Sequence, residues 1–172
     1  MTADQVNSDP HIHTLVLCAN ILVRKDGKFL LMRRSPLKKF APNVVVPFGG
    51  KIDRDEDPLD AGIRELREET GLEVDNVHLD AVVTEIQQDP NMLSNWLVFY
   101  FSADYKSGDL IHTAEGESVL ITAEEMKKEQ LFPAFREILP SILNPNTNVV
   151  FGRFVYNKEH EIVEQHLTEC QV

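Results

Sequence analysis

The segment that most constrains this chain covers residues 50–72, which read GKIDRDEDPLDAGIRELREETGL. It carries signals for both ends of one helix. Asp57 is a residue type that caps helix N-termini, and Pro58 is favoured at the first helical position. Gly71 can adopt the left-handed conformation that ends a helix. The segment therefore predicts a helix over residues 58–70 that follows a glycine-containing loop.

Two faces of the predicted helix differ in chemical character, because successive side chains lie about 100° apart around the axis. One face is apolar, suits a protein core, and carries Leu59, Ile63 and Leu66. Another face is acidic and carries Glu65, Glu68 and Glu69. Like charges at these spacings cost a helix roughly 0.3 kcal/mol per pair, which a bound cation would offset. Carboxylate oxygens suit Mg²⁺ or Mn²⁺ rather than zinc, although a solvated acidic helix surface has the same pattern.

A longer motif distinguishes these two interpretations. The pair Gly49-Gly50 follows a short strand, where glycine lets the backbone approach a ligand and offer a carbonyl to a metal. The segment fits G-x5-E-x7-R-E-U-x-E-E-x-G-U, in which U is aliphatic. Its specified positions are occupied by Gly50, Glu56, Arg64, Glu65, Leu66, Glu68, Glu69, Gly71 and Leu72. This motif is the Nudix box, and on it the chain is identified as a member of the Nudix hydrolase superfamily.

The resemblance implies a fold, a cofactor and a reaction. Nudix hydrolases are αβα sandwiches around a mixed sheet, and in them a metal-activated water attacks a phosphorus of a diphosphate. The metal ligands would be Glu65, Glu68, Glu69 and the carbonyl of Gly49. Arg64 would orient the glutamates, and the structural box positions would be Gly50, Glu56 and Gly71. A carboxylate must accept the proton of the water; Glu65 is the first candidate and Glu115 is the second.

The rest of the chain resembles the MutT branch of the family, and particularly its oxidised-purine nucleoside triphosphatases. Phe48-Gly49-Gly50-Lys51 matches their F-G-G-K, and Phe151-Gly152-x-Phe154 resembles their ending. Glu115 stands where those enzymes have a further catalytic or metal-binding glutamate. Glu117 is a rival for the same role, so the resemblance leaves two candidates there.

The chain departs from those triphosphatases at the positions that read the base. Val46 stands in place of an asparagine, and residues 132–135 stand in place of tryptophan-proline-aspartate-aspartate. Phe132 could still stack on a base, but a pocket without base-edge hydrogen bonds rejects wrong bases poorly. The candidate substrate-binding residues are Val46, Phe132 and Phe135 for the base and Lys51 for phosphates, and Arg33 and Arg34 at the end of a strand could also reach phosphates.

Outside the box, β-branched and apolar runs predict a mixed sheet. Strands are expected at 13–24, 28–34, 44–47, 77–88, 93–103, near 118–121, and in a closing hairpin at 149–156 and 161–167. The turns Lys25-Asp26-Gly27 and Asp89-Pro90-Asn91 are expected to join two of the strand pairs. A short helix is expected after Thr122 and another from Pro133, with a kink or early end at Pro140. This order predicts an α+β fold, in which helices flank a mixed sheet and a terminal β-hairpin closes the chain.

Length and composition indicate one soluble domain. The 172 residues are expected to form a single domain over 12–172, after a disordered lead-in over 1–11. The apolar runs are too short to cross a bilayer, and the polar start is unlike a signal peptide. Cys18 and Cys170 are expected to be reduced thiols. These features predict a cytoplasmic protein without a membrane partner, either a monomer or a homodimer.

The net charge is -11, which disfavours binding to a nucleic-acid polymer through its phosphates. An acidic site also repels a small polyanionic nucleotide unless a divalent cation lies between them. The favoured function is therefore Mg²⁺-dependent hydrolysis of a nucleoside triphosphate to a monophosphate and pyrophosphate, with 8-oxo-dGTP among the candidate substrates. One alternative is hydrolysis of another nucleoside diphosphate derivative, such as a nucleotide sugar. An alternative of another class is a non-catalytic module that senses a nucleotide, although such a module is expected to lack some of the box glutamates.

Overall fold

A mixed β-sheet forms the centre of the computed structural model, which describes residues 14–88, 95–144 and 148–171. The strands are β1 (Leu15–Lys25), β2 (Lys28–Arg34), β3 (Val45–Val46), β4 (Phe48–Lys51), β5 (Glu73–Gln87), β6 (Asn95–Ser107), β7 (Gly116–Ile121), β8 (Asn148–Tyr156) and β9 (Ile162–Gln171). The helices are α1 (Pro58–Thr70), α2 (Ala123–Met126) and α3 (Pro133–Ile142). The expected lead-in over 1–11 and the expected turn at Asp89-Pro90-Asn91 lie outside the described residues.

The strand order confirms the expected mixed sheet with a terminal hairpin. It is β3-β2-β1-β6-β5-β8-β9, with β4 paired to β1 and β7 paired to β2. The pairs β1–β6 and β5–β8 are parallel, whereas β1–β2, β5–β6 and β8–β9 are antiparallel. Strand β1 therefore contacts three other strands, so it lies where the sheet divides between β2 and β4.

Side chains of β1 alternate between the two faces of the sheet, as the period of a strand requires. Ala19, Ile21 and Val23 join one buried cluster with Leu66 of α1, and Cys18 and Leu22 join another with residues of α3. Both clusters are almost fully buried. The sheet is consequently packed between α1 on one face and α3 on the other, which is the expected αβα arrangement.

Helix α1 has the predicted bounds and the predicted caps. The carboxylate of Asp57 accepts hydrogen bonds from the backbone N–H groups of Leu59 and Asp60, at 2.8 and 3.0 Å. Gly71 ends the helix with φ 73° and donates its N–H to the carbonyl of Arg67. Gly62 lets the helix pack closely on β1, because a Cβ there would lie 3.2 Å from Cγ1 of Ile21.

Helix α3 differs from the expectation at Pro140. The helix starts at Pro133 as predicted, but it continues through Pro140 and ends two residues later, at Ile142. The buried residues Phe135 and Ile138 hold this short helix against the sheet. Their burial outweighs the one helical hydrogen bond that a proline lacks. The capping box predicted at Thr122 is present at the start of α2.

Both cysteines are free thiols, of which Cys18 is buried and Cys170 is exposed.

No helix in the described ranges has the length and apolar character needed to span a membrane.

Gly27 and Gly71 have similar left-handed backbones but predict unequal costs of substitution. Gly27 and Gly71 have φ values of 74° and 73°, but a Cβ would meet nothing within 4 Å at Gly27 and would lie 2.8 Å from the carbonyl oxygen of Asp109 at Gly71. Left-handed strain costs a non-glycine residue about 1–2 kcal/mol. Gly27→Ala should lower the free energy of unfolding by that cost alone. Gly71→Ala should lower it by about 1 kcal/mol more, because its Cβ would clash with the carbonyl oxygen of Asp109. Equal losses of unfolding free energy in the two variants, measured by urea titration, would contradict the close packing of Gly71 against Asp109.

Candidate active site

Strand β4 brings a glycine backbone against β1 and leaves space for α1. Gly49 pairs with Asn20 and Gly50 pairs with Ala19. Gly49 has φ 150°, and a Cβ on it would lie 2.1 Å from the carbonyl oxygen of Ala19. This position therefore admits only glycine.

Two glutamates of α1 face this glycine backbone. A carboxylate oxygen of Glu69 accepts a hydrogen bond from the backbone N–H of Gly49 at 3.1 Å. The carboxyl of Glu65 lies so close to Gly50 that a Cβ there would be 2.4 Å from its Cδ atom. Residues four apart lie on one helix face, so both carboxyls project toward β4.

Glu69 lies in a strongly negative environment. The pKa of Glu69 is raised to about 7, mainly by burial and also by the carboxylates of Glu65 and Glu115, against the lowering effect of the Gly49 hydrogen bond. Three carboxyls thus act on one another around β4. A divalent cation bound to their oxygens would relieve both the repulsion and the desolvation, so the donor set fits a hard metal ion.

Arg64 links the box residues in one network. Its Nε and Nη2 donate to the two carboxylate oxygens of Glu56, at 2.6 and 2.8 Å. Its Nη1 donates to Glu65 at 3.0 Å and lies 3.5 Å from an oxygen of Glu68. Glu56 in turn accepts a hydrogen bond from the backbone N–H of Asp53 at 3.1 Å. The loop that precedes α1 is therefore attached to the helix through Glu56 and Arg64.

The expected metal ligands differ in their surroundings. Glu65 and Glu68 lie beside Arg64, and the Glu68 side chain is largely exposed, whereas Glu69 contacts the glycine backbone. Within the described ranges, no group of three or more His, Cys, Asp or Glu side chains is arranged to hold a metal ion.

Of the two glutamates near β7, the structure brings Glu115 toward the box. Glu115 raises the pKa of Glu69, and its own carboxylate pairs with Lys38. Glu117 lies instead opposite Arg33 in the β2–β7 register and acts on the charge of that arginine. The positions of the two residues therefore favour Glu115 over Glu117 as the further catalytic or metal-binding glutamate.

A cavity of about 620 Å³ begins at the glycine backbone of β4 and extends across the sheet. Four of the predicted substrate-binding residues line it, namely Val46, Lys51, Phe132 and Phe135. Trp96 and Tyr100 add further aromatic surface. Nζ of Lys51 lies 5.9 Å from the ring centre of Trp96, at the same end of the cavity as Gly50. One space thus joins the glycine backbone of β4 to an aromatic wall.

Arg33, which the sequence suggested as a phosphate ligand, does not line this cavity. Its guanidinium donates to both carboxylate oxygens of Glu129, at 2.9 and 3.0 Å. Arg34 lines the cavity beside Met32, and its Nε is buried without a hydrogen-bond partner. The alternation of side chains along β2 explains why Arg34 lines the cavity and Arg33 does not. Met32 and Arg34 share one face of the strand, and Arg33 lies on the other.

Sequence reasoning also missed three polar residues that line the cavity, namely Asn20, Glu85 and Gln87. None belongs to a motif. The available signal was a glutamate within the largely apolar run AVVTEIQ of β5. Which face of β5 would be covered depends on the strand's neighbours, so the sequence did not reveal that Glu85 is buried.

Comparison with known proteins agrees with the motif. A sequence model of the NUDIX domain matches residues 14–142. An uncharacterized Nudix hydrolase of Bacillus subtilis is 30% identical over 150 residues, which are 86% of this chain and 91% of that protein. An m7GpppN-mRNA hydrolase of Danio rerio is 52% identical over 54 residues, but these are 31% of this chain and 18% of that protein.

Solved structures show the same fold. The mutator MutT protein from Bacillus halodurans has a TM-score of 0.78 and 24% identity, over 89% of this chain and 97% of that one. The MutT protein from Methanosarcina mazei Go1 has a TM-score of 0.60 and 25% identity, over 74% of this chain and 92% of that one.

The Glu56–Arg64 pair predicts a pH-dependent contribution to stability. The hydrogen bond from Arg64 lowers the pKa of Glu56 from 4.5 to about 2, so the folded state favours the ionised form. The pair therefore stabilises the fold fully above about pH 4.5, and this contribution is lost as the pH falls toward about 2. Glu56→Gln should lower the melting temperature near neutral pH, and its difference from the wild type should shrink below about pH 4.5.

The matched control is Asp55→Asn, which changes an exposed carboxylate of the same loop. Its melting temperature should stay close to that of the wild type across the same pH series. A Glu56→Gln deficit that is equally large near neutral pH and near pH 3 would show that the ion pair is not its cause.

Proposed function

The chain belongs to the Nudix family of hydrolases, which act on pyrophosphate bonds, and we propose that it uses Mg²⁺ to cleave a nucleoside triphosphate into a nucleoside monophosphate and pyrophosphate. The supporting observation is the cavity that runs from Gly49 and Gly50, the backbone that Glu69 and Glu65 contact, to the aromatic wall. A nucleotide needs a charged site for its phosphates and a flat apolar site for its base. This cavity offers both, in a volume of the size typical of ligand pockets.

In this proposal the box residues divide the work at the phosphate end. Glu65, Glu68, Glu69 and the carbonyl of Gly49 would hold the cation, which when bound would supply charge neutralisation and water activation. Glu56 and Arg64 position Glu65 through the network of hydrogen bonds described above. The carboxylates of Glu65 and Glu115 repel the buried carboxylate of Glu69, and this repulsion supports the assignment of Glu69 as a ligand of the cation.

The proton of the attacking water must pass to a carboxylate. Glu65 remains the first candidate because it lies directly against Gly50 at the start of the cavity. Glu115 remains the second, since it lies near Glu69 but pairs with Lys38. Replacing each by glutamine separates them, because loss of the general base removes the acidic limb of the pH–rate profile, where the rate rises as the base loses its proton, and does not merely lower the rate at every pH.

The substrate contacts follow from the lining of the cavity. Arg34 and Lys51 are the cations that line it near Gly49 and Gly50, so they would bind phosphate oxygens. Phe132 would stack on the base, with Val46 and Phe135 forming the adjoining wall. An oxidised guanine nucleotide is among the substrates that such a site can take.

A substrate panel with Mg²⁺ tests the reaction. It should contain ordinary nucleoside triphosphates and their deoxy forms, 8-oxo-dGTP, a nucleotide sugar, and a capped dinucleotide because of the Danio rerio relative. The expected products are a nucleoside monophosphate and pyrophosphate from a triphosphate. Turnover of the nucleotide sugar alone would overturn the triphosphatase proposal, and binding without any turnover would favour a non-catalytic sensing module.

The metal assignment predicts a loss of activity without a loss of fold. Glu68→Gln and Glu69→Gln should each lower kcat by about 100-fold or more, because a bound cation contributes several kcal/mol to charge stabilisation. Both variants should also lose the rise in melting temperature that Mg²⁺ or Mn²⁺ gives the wild type. Chelation of the metal should stop the wild-type reaction.

Glu73→Gln is the matched control, since Glu73 is a nearby carboxylate that pairs with Arg67 and does not line the cavity. It should keep wild-type kcat and the response to metal. Undiminished hydrolysis in the Glu68 and Glu69 variants, with the metal response intact, would refute the assignment of these ligands.

A further inference from the structure

Glu85 places an acidic group in the cavity, away from the box. It lies in β5, which is separated from β4 by β1 and β6. Its side chain is the one acidic group among the described residues that line the cavity, and it is shielded from bulk solvent, with 5% of the residue exposed. The cleavage chemistry proposed above does not use this group.

The carboxyl of Glu85 is buried without compensation. Its register neighbours are Trp96 in β6 and Phe154 in β8, and no residue of the described ranges donates a hydrogen bond or forms an ion pair to it. Burial alone raises the pKa of Glu85 to about 7. A buried polar group that lacks a partner costs free energy, and a ligand that brings N–H donors into the cavity would remove that cost.

A second acceptor lies beside it. Gln87 is two residues along β5, on the same face, and it also lines the cavity. Its Oε1 atom is buried and has no hydrogen-bond partner. The wall formed by β5 therefore presents acceptors, while Trp96 and Phe132 present flat apolar surface. This combination fits the edge and the face of a heterocyclic base.

The pattern of donors distinguishes the bases. A carboxylate accepts two parallel N–H donors well. Guanine presents two adjacent donors, N1–H and the 2-amino group, and its 8-oxo form keeps both. Adenine presents a donor beside an acceptor, and hypoxanthine lacks the 2-amino group.

We propose that Glu85 is a specificity-determining residue that accepts hydrogen bonds from N1–H and the 2-amino group of a guanine-type base, with Gln87 as a neighbouring acceptor. This inference rests on the proposed nucleotide-binding role of the cavity. Hydrogen bonds accepted by Glu85 would supply the recognition of the base edge that Val46 and residues 132–135 do not provide.

Lys51 offers a competing explanation, because it lines the same cavity and its Nζ lies 5.9 Å from the ring of Trp96. If Glu85 served only to balance that charge, its replacement would change the affinity for all nucleotides by a similar factor. The ratio between bases, rather than the affinity for one of them, is therefore the decisive measurement.

The test compares binding of GMP, IMP and AMP to the full chain by calorimetry. The wild type should bind GMP most tightly, and IMP should bind more weakly because one donor is missing. Glu85→Gln is nearly isosteric and should lower the affinity for GMP by about tenfold or more while leaving that for AMP little changed. Glu85→Asp keeps the charge but withdraws the carboxyl by one methylene, so it should also lose the preference. Glu73→Gln should keep it.

Equal binding of GMP and AMP by the wild type would overturn the proposed role of Glu85. An unchanged GMP-to-AMP affinity ratio in both Glu85 variants would overturn it as well. A ratio lost in Glu85→Gln but kept in Glu85→Asp would show that the preference does not need the carboxyl at the position where it meets N1–H and the 2-amino group, which also overturns it. Binding of monophosphates needs no hydrolysis. If the substrate panel showed turnover of nucleotide sugars alone, the triphosphatase proposal would fail while a preference for GMP that depends on Glu85 would still stand.

Discussion

The approach of α1 to the glycine backbone of β4 is the contact on which the site depends. Glu69 bonds to the N–H of Gly49, and the carboxyl of Glu65 occupies the volume that a side chain at residue 50 would need. Bringing these acidic groups together costs electrostatic free energy. The apolar face of the same helix offsets that cost, since Leu66 is completely buried against the sheet. The fold therefore holds carboxylates closer than they would lie in solution.

Arg64 keeps this charged arrangement compatible with a stable fold. It shares its guanidinium between Glu56 and Glu65 and lies near Glu68, so part of the negative charge of the box is neutralised within the chain. In the proposed function a divalent cation would neutralise more of it, and a polyanionic substrate could then approach this acidic protein.

The cavity shows where sequence reasoning was sufficient and where it was not. The helix bounds, its caps and the partners of Arg64 follow from local spacing, so α1 was predicted to the residue. The orientation of Arg33 and Arg34 depends on which face of β2 is covered, and the adjacent arginine proved to line the cavity. Pro140 was expected to disturb α3, but burial of Phe135 and Ile138 outweighs its local effect. In both cases the deciding contacts come from residues distant in the chain.

The sequence by itself determined the family, the helix of the Nudix box and the kind of bond on which the family acts, because the motif lies in one continuous segment whose spacing directly sets the positions of its side chains on a helix. Only the tertiary structure decided which side chains surround the cavity. Strand β5 reaches it through pairings with β6 and β8 that join residues far apart in the chain. The burial of Glu85, the partner of Arg33 and the nearness of Glu115 to Glu69 all depend on such pairings, and a strand's own pattern does not say which of its faces will be covered.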